Sequence, residues 1–285
     1  ATTLDDCLRM RDAWRKSGRH FTIGFTLRYS PHYRRIKEII TSGAIGRIIS
    51  MEFNETLAPR HGGYIHADWR RRTEWAGSHL LEKCCHDLDL VNWMLESVPV
   101  RAASFGGCDL FTPENAGLMD RVGRDEQGRS PFEGWRGKLS TNHAPHPFTA
   151  DKDILDNQVV ILEYGNGVRA TFHTNASTAI RERRMYICGT QGTIRADVMN
   201  GRIELARVGI ETEIEECSTS SSGGHGGGDV FLAGSLAETL RNGRPPAASL
   251  EDGLRAAVAA FGVDEAQRSG TVFDLRPMLE QAGIG

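Results

Sequence analysis

Residues 156–175 read DNQVVILEYGNGVRATFHTN, two runs rich in β-branched and aromatic residues joined by the turn Gly165-Asn166-Gly167. Runs of this kind, broken by a short Gly/Asn turn, specify an antiparallel hairpin whose alternate side chains lie on opposite faces. The pattern continues through RRMYICG (183–189), TIRADV (193–198), NGRIELARV (200–208) and TEIEEC (212–217). Residues 157–217 therefore predict an antiparallel meander within one broad sheet.

Upstream, Thr3 followed by Asp5 and Asp6, with Arg15 and Lys16 before Gly18, reads as a helix from Thr3 to Ser17 with the charge order a helix dipole favours. HFTIGFTLRYS (20–30) reads as a strand, Pro31 opens a helix that stops at Gly43, and Ile48 to Thr56 alternates as a strand. After a polar loop, Leu81, Cys84 or Cys85, Leu88, Val91 and Leu95 recur at three- and four-residue spacing and predict a helix over 80–96. Residues 109–155 lack periodicity and suit a lid, an interface loop or a partly disordered segment. Beyond STSSSGGHGGGD (218–229), helices are expected from about Asp229 to Arg241 and over 251–270, followed by a short strand at 271–275 and a last helix. Helices, then many strands, then helices favour an α+β fold: a large open, predominantly antiparallel sheet with helices on one face.

Composition narrows the function. The chain has 285 residues, 39% apolar, enough for a sizeable core, and its net charge of −3 comes with no basic stripe, which argues against a nucleic-acid partner. It contains no apolar run long enough to span a bilayer and no signal-peptide-like start, which argues against a membrane and for a cytoplasmic protein. Six cysteines without repeated spacing suit reduced thiols, and Cys84-Cys85-His86 finds no second ligand pair for zinc.

Chemistry concentrates in SHLLEKCCHDLDLVNW (78–93). On a regular helix Glu82, His86 and Asp89 share one face, presenting an imidazole between two carboxylates. A histidine can take a hydroxyl proton near neutral pH, and a carboxylate can orient it. An ordinary solvated helix face has the same spacing, and Lys83 and Asp87 at i,i+4 suit a surface ion pair. His225 in GGHGGGD either reaches a pocket from a helix start or sits in a flexible loop, and Asp229 suits a helix cap. His173 shares a strand face with Thr171 and Asn175, either a pocket wall or a solvated surface. Tyr64, His66, Trp69 and Arg70 form a loop mixture suited to polyol binding or to an ordinary surface.

The segments TLDDC (3–7), FTLRYSPHYRRIKEIITSGAIGRI (25–48), WRRRTEWAGSHLLEKCCHDLDLVNWML (69–95), DNQVVILEYGNGVRATFHTN, ICGTQGTIRAD (187–197) and GHGGGD (224–229) together resemble the Gfo/Idh/MocA oxidoreductases, named for glucose-fructose oxidoreductase and inositol dehydrogenase. The resemblance implies a Rossmann domain that binds NAD or NADP, of which residues 1–30 are the closing helix and strand, and a substrate-binding and dimerising α+β domain over 31–285. It implies hydride transfer on a sugar, inositol or related polyol, with His86 as general acid or base and Glu82, where the family has Asp, positioning it. Arg28, Trp69, Asp89, His173 and His225 are the implied substrate-side candidates, with no metal. The family's glycine-rich loop, ribose-binding acid and Glu-Lys-Pro motif would all precede residue 1, and Lys83 is not that lysine. The chain is thus expected to be truncated and to bind the dinucleotide poorly by itself. A homo-oligomer, dimer or tetramer, is expected through the open sheet. Two alternatives share the scaffold: an NAD-using glycoside hydrolase or lyase, and a non-catalytic sugar-binding or assembly protein.

Overall fold

The computed structural model describes residues 1–133, 145–219 and 224–285. Among these, the strands are β1 (Ile48–Thr56), β2 (Pro99–Gly107), β3 (Asn157–Tyr164), β4 (Arg169–Asn175), β5 (Arg184–Gly189), β6 (Gly192–Asp197), β7 (Arg202–Arg207), β8 (Ile214–Glu216) and β9 (Phe273–Asp274). The α-helices are α1 (Leu4–Ser17), α2 (Pro31–Thr41), α3 (Pro59–Ala67), α4 (Thr73–Ala76), α5 (Cys85–Leu95), α6 (Leu118–Arg121), α7 (Gly228–Asn242), α8 (Leu250–Ser269) and α9 (Arg276–Ala282). None of them is long and apolar enough to cross a membrane.

One sheet runs in the order β8-β7-β6-β5-β1-β4-β3-β2-β9. The hairpin β3–β4 forms as expected, Val160 opposite Phe172 and Leu162 opposite Ala170, and its turn uses Gly167 at φ 83°. The expected meander is interrupted, however. β1, about 110 residues upstream in the chain, inserts between β4 and β5, parallel to the first and antiparallel to the second. Alternation fixes which side chains share a face but carries no information about the neighbouring strand. All other pairings are antiparallel, so the α+β architecture stands.

Helices cover one face. Phe53, Leu162, Phe172, Ile187 and Ile194 meet Ile36, Leu88, Val91, Val258 and Val263 in a single core, every one of them at most 1% exposed. Each such aliphatic burial contributes about 1.5–3 kcal/mol. Ala256, Ala257, Ala259 and Ala260 let α8 approach closely, and Ser249 and Asp252 close a reciprocal capping box at its start. The opposite sheet face leaves Phe105, Val159, Ile161 and Tyr186 exposed.

The N-terminal segment departs from expectation. α1 keeps its bounds, capped by the Thr3 side chain and ended by Gly18 in the left-handed region. Residues 20–30 form no strand; Thr26–Tyr29 is a 3-10 turn, and Ile23 N–H donates to the Ala248 carbonyl at 3.2 Å. β-branched content favours a strand only where a ladder partner is present, and none of the described strands flanks this segment. Cys7 and Leu27 instead join the common core, and Arg15 pairs with Glu251 of α8.

Candidate active site

The helix that carries His86 starts irregularly. Gly77, at φ 73°, turns the chain, and a side chain there would meet Leu81 at 2.4 Å. Leu80–Cys84 then form a π-helical turn before α5 begins at Cys85. A π-turn bonds i to i+5, so residues four apart no longer stack on one face.

That turn redistributes the charged residues. Lys83 reaches Glu55 at the end of β1, 3.0 Å away, rather than Asp87. Asp87 turns into the core and takes two hydrogen bonds from Arg183, at 2.8 and 2.7 Å, while Arg183 also meets Glu55 at 2.5 Å. Lys83, Glu55, Arg183 and Asp87 thus form a continuous chain of alternating charge joining helix, central strand and the approach to β5. Buried charges are tolerated only when paired in this way.

Glu55, Lys83 and Arg183 line a cavity of about 840 Å3 together with Thr56, His61 and His225. His86 stands behind this lining rather than in it, its ring 6.2 Å from that of His225 and edge-on to Phe25 at 5.7 Å. Burial, reinforced by the positive Arg183 and Lys83, lowers the His86 pKa from 6.5 to about 3. The imidazole is therefore neutral at physiological pH, with a buried, unpartnered Nδ1. His225 sits at φ 52°, and its Nδ1 lies 2.9 Å from Asp229. Asp229 is consequently not the helix cap; Gly227 takes that position in the left-handed region without a side-chain bond. Gly223, the first glycine of GGHGGGD, lies outside the described residues, as does the 134–144 part of the 109–155 segment.

The other residues singled out from sequence scatter. Glu82 does not stack on His86, because the π-turn displaces it; it takes a hydrogen bond from Arg70 at 2.6 Å, and Arg70 also binds Asp68 at 3.0 Å. Asp89 turns away from His86 into a two-pronged pair with Arg28, at 2.7 and 2.6 Å. This pair is buried, and Arg28 faces a different cleft, with Trp93 and Asp252. Burial lifts the Asp89 carboxyl to about 7 even against Arg28. Trp69, 44% exposed, stacks on Arg70 and edges an apolar groove with Phe25, Trp75 and Leu81. His173 is placed with Thr171 on the open sheet face; its neighbour Thr174 points the other way, 3.1 Å from His79. His173 is thus separated from His86 by the sheet.

Sequence reasoning overlooked Glu55, Arg183, His61 and His79, and assigned Lys83 and Asp87 to solvent. One signal was available: Asp87 sits three residues after Cys84 and four before Val91, on the apolar stripe, where a charge demands a buried partner. Among the described residues there is no glycine-rich strand-to-helix turn of the kind that cradles a diphosphate.

Comparison with known proteins gives the family. The model of the oxidoreductase family, C-terminal alpha/beta domain (GFO_IDH_MocA_C), matches residues 37–275. YteT of Bacillus subtilis is 27% identical over 269 residues, which cover 81% of this chain and 63% of YteT. Inositol 2-dehydrogenase 2 of Saccharopolyspora erythraea is 31% identical over 120 residues, 41% of this chain and 30% of its own. The chain therefore spans less than two thirds of the length of these relatives. The fold is that of levoglucosan dehydrogenase solved with NADH and levoglucosan, at a TM-score of 0.76 and 16% identity over 96% of this chain and 72% of that one. With an open sheet backed by α5 and α8, and with a family match over 37–275, this chain belongs to the Gfo/Idh/MocA oxidoreductase family as its C-terminal alpha/beta domain.

Proposed function

We propose that this chain is the substrate-binding part of an NAD(P)-dependent oxidoreductase that acts on a CH–OH group of a sugar, inositol or related polyol. The observation that carries the reading is a neutral His86 next to His225, which lines a polar cavity holding the linked charges of Lys83, Glu55 and Arg183. A neutral imidazole can accept the hydroxyl proton as the carbinol is oxidised, and return it in the reverse direction. Glu82 acts at one remove, bracing the loop at Arg70 against the helix. His225 closes the cavity from the start of α7. The open face with Phe105, Val159, Ile161 and Tyr186 joins copies of the chain into a homo-oligomer.

The test is dinucleotide reduction in the presence of a panel of sugars and inositols, using the full-length product of the source gene. His86→Asn should lower kcat by about 10²–10⁴-fold with little change in KM. An unchanged kcat would remove His86 from the reaction. Tightly held dinucleotide that turns over substrate without net reduction would favour the hydrolase or lyase alternative.

A further inference from the structure

We propose that the substrate taken by the cavity lined by Lys83, Arg183 and His225 is an anionic carbohydrate, one bearing a carboxylate or phosphate, and that Arg60 and Arg181 are the residues that recognise its charge. This rests on the sugar-oxidoreductase reading above and narrows its substrate class.

The balance of charge in the cavity is the first observation. Among the described residues its wall carries four cationic side chains, Arg60, Lys83, Arg181 and Arg183, against two carboxylates, Glu55 and Glu182. An excess of two positive charges here contrasts with a chain whose net charge is −3.

How those charges are used is the second. The inner cations are satisfied within the protein: Lys83 by Glu55, Arg183 by Glu55 and Asp87. Glu182 is likewise committed, to Arg184 at 2.9 Å and Asn54 at 3.3 Å. Arg60 and Arg181 have no ion pair among the described residues, and both are exposed to the cavity opening. The surplus charge therefore lies at the rim, available to a ligand, while the paired charges form the floor.

Placement is the third. Arg60 is the second residue of α3, where the positive end of the helix dipole disfavours a cation. Ala58, just before that helix, Arg60 and His61 all border the cavity. Arg181 precedes Glu182, whose backbone is pinned to Thr56 by bonds of 3.0 and 2.8 Å, which holds its stem at the rim. Two guanidinium groups facing one space suit the planar or tetrahedral oxygens of a carboxylate or phosphate. A neutral polyol would leave these charges unanswered.

The experiment measures binding of D-glucuronate, glucose 6-phosphate and glucose to this chain by titration calorimetry at low ionic strength. Wild type is compared with the double variant Arg60→Gln/Arg181→Gln, whose exposed positions leave the core intact. At least one of the anionic sugars should bind tenfold or more tightly than glucose. The double variant should abolish that preference while leaving glucose affinity within about twofold. Preference for glucuronate assigns the charge to a carboxylate, and preference for glucose 6-phosphate to a phosphate. Equal binding of all three sugars, or a preference that survives in the double variant, overturns the inference and leaves the sugar-site reading standing. Absence of binding by every sugar, glucose included, overturns both.

Discussion

Among the described residues, three buried histidines and two half-buried ones make this fold sensitive to mild acid. Burial is the leading cause of lowered pKa at each, with His32 and His79 held at about 4 and His61, His66 and His86 at about 3, against 6.5 in a free side chain. Between about pH 4 and 6.5 the unfolded chain therefore binds five protons that the folded chain refuses, so stability falls as pH falls through that window. Two carboxyls oppose the trend: burial raises Asp89 and Asp264 from 3.8 to about 7, so the folded chain holds protons there that the unfolded chain releases. The net difference is about three protons near pH 5.5, or about 4 kcal/mol of stability per pH unit. Two units of acidification would then remove about 8 kcal/mol, comparable to the about 5–15 kcal/mol by which a domain is folded at neutral pH. Urea unfolding at about pH 7, 6 and 5, with a constant m-value, measures the slope directly. His66→Leu gives a second arm. This ring stacks on Phe111 at 4.3 Å with both nitrogens unpartnered, so its removal should flatten the slope by about 1.4 kcal/mol per pH unit. Stability that is flat or rises on acidification would refute the reasoning.

Three further outcomes follow from the packing. Arg183→Met strands Asp87 and Glu55 without their shared cation and should cost about 3–5 kcal/mol in urea unfolding. Gly63→Ala places a methyl 1.8 Å from the Phe132 carbonyl oxygen, and a loss of about 1–3 kcal/mol is expected in thermal unfolding. Replacing Phe105 and Ile161 together by Lys on the open sheet face should shift the protein to a smaller species in sedimentation, without loss of thermal stability.

Much of this was legible in the sequence, unevenly. Local signals worked where local physics decides: the Thr3 cap, the Pro31 start of α2, the extent of β1 and the Gly167 turn all depend on residues within a few positions of one another. They failed where distant residues decide. The 20–30 run has strand-forming residues but no ladder, and Arg28 instead is claimed by Asp89, 61 residues away. Glu55 read as one more polar strand position, because its partners Lys83 and Arg183 come from separate segments. His173 was correctly grouped with Thr171, yet alternation could not say which face the helices would cover. The spacing from Glu82 to His86 presupposed a regular helix, and the π-turn at Leu80–Cys84 removed that premise.

The insertion of β1 between β4 and β5 also governs how the molecule must assemble. β1 is synthesised long before either neighbour: its partners span residues 169–175 and 185–189, so about 110 residues of chain must close on it before its edges are matched. Closure on that scale slows folding relative to hairpins such as β3–β4, which zip locally. During synthesis on the ribosome, a strand carrying Ile48, Met51 and Phe53 waits with both edges open, a natural ligand for chaperones and a template for aggregation.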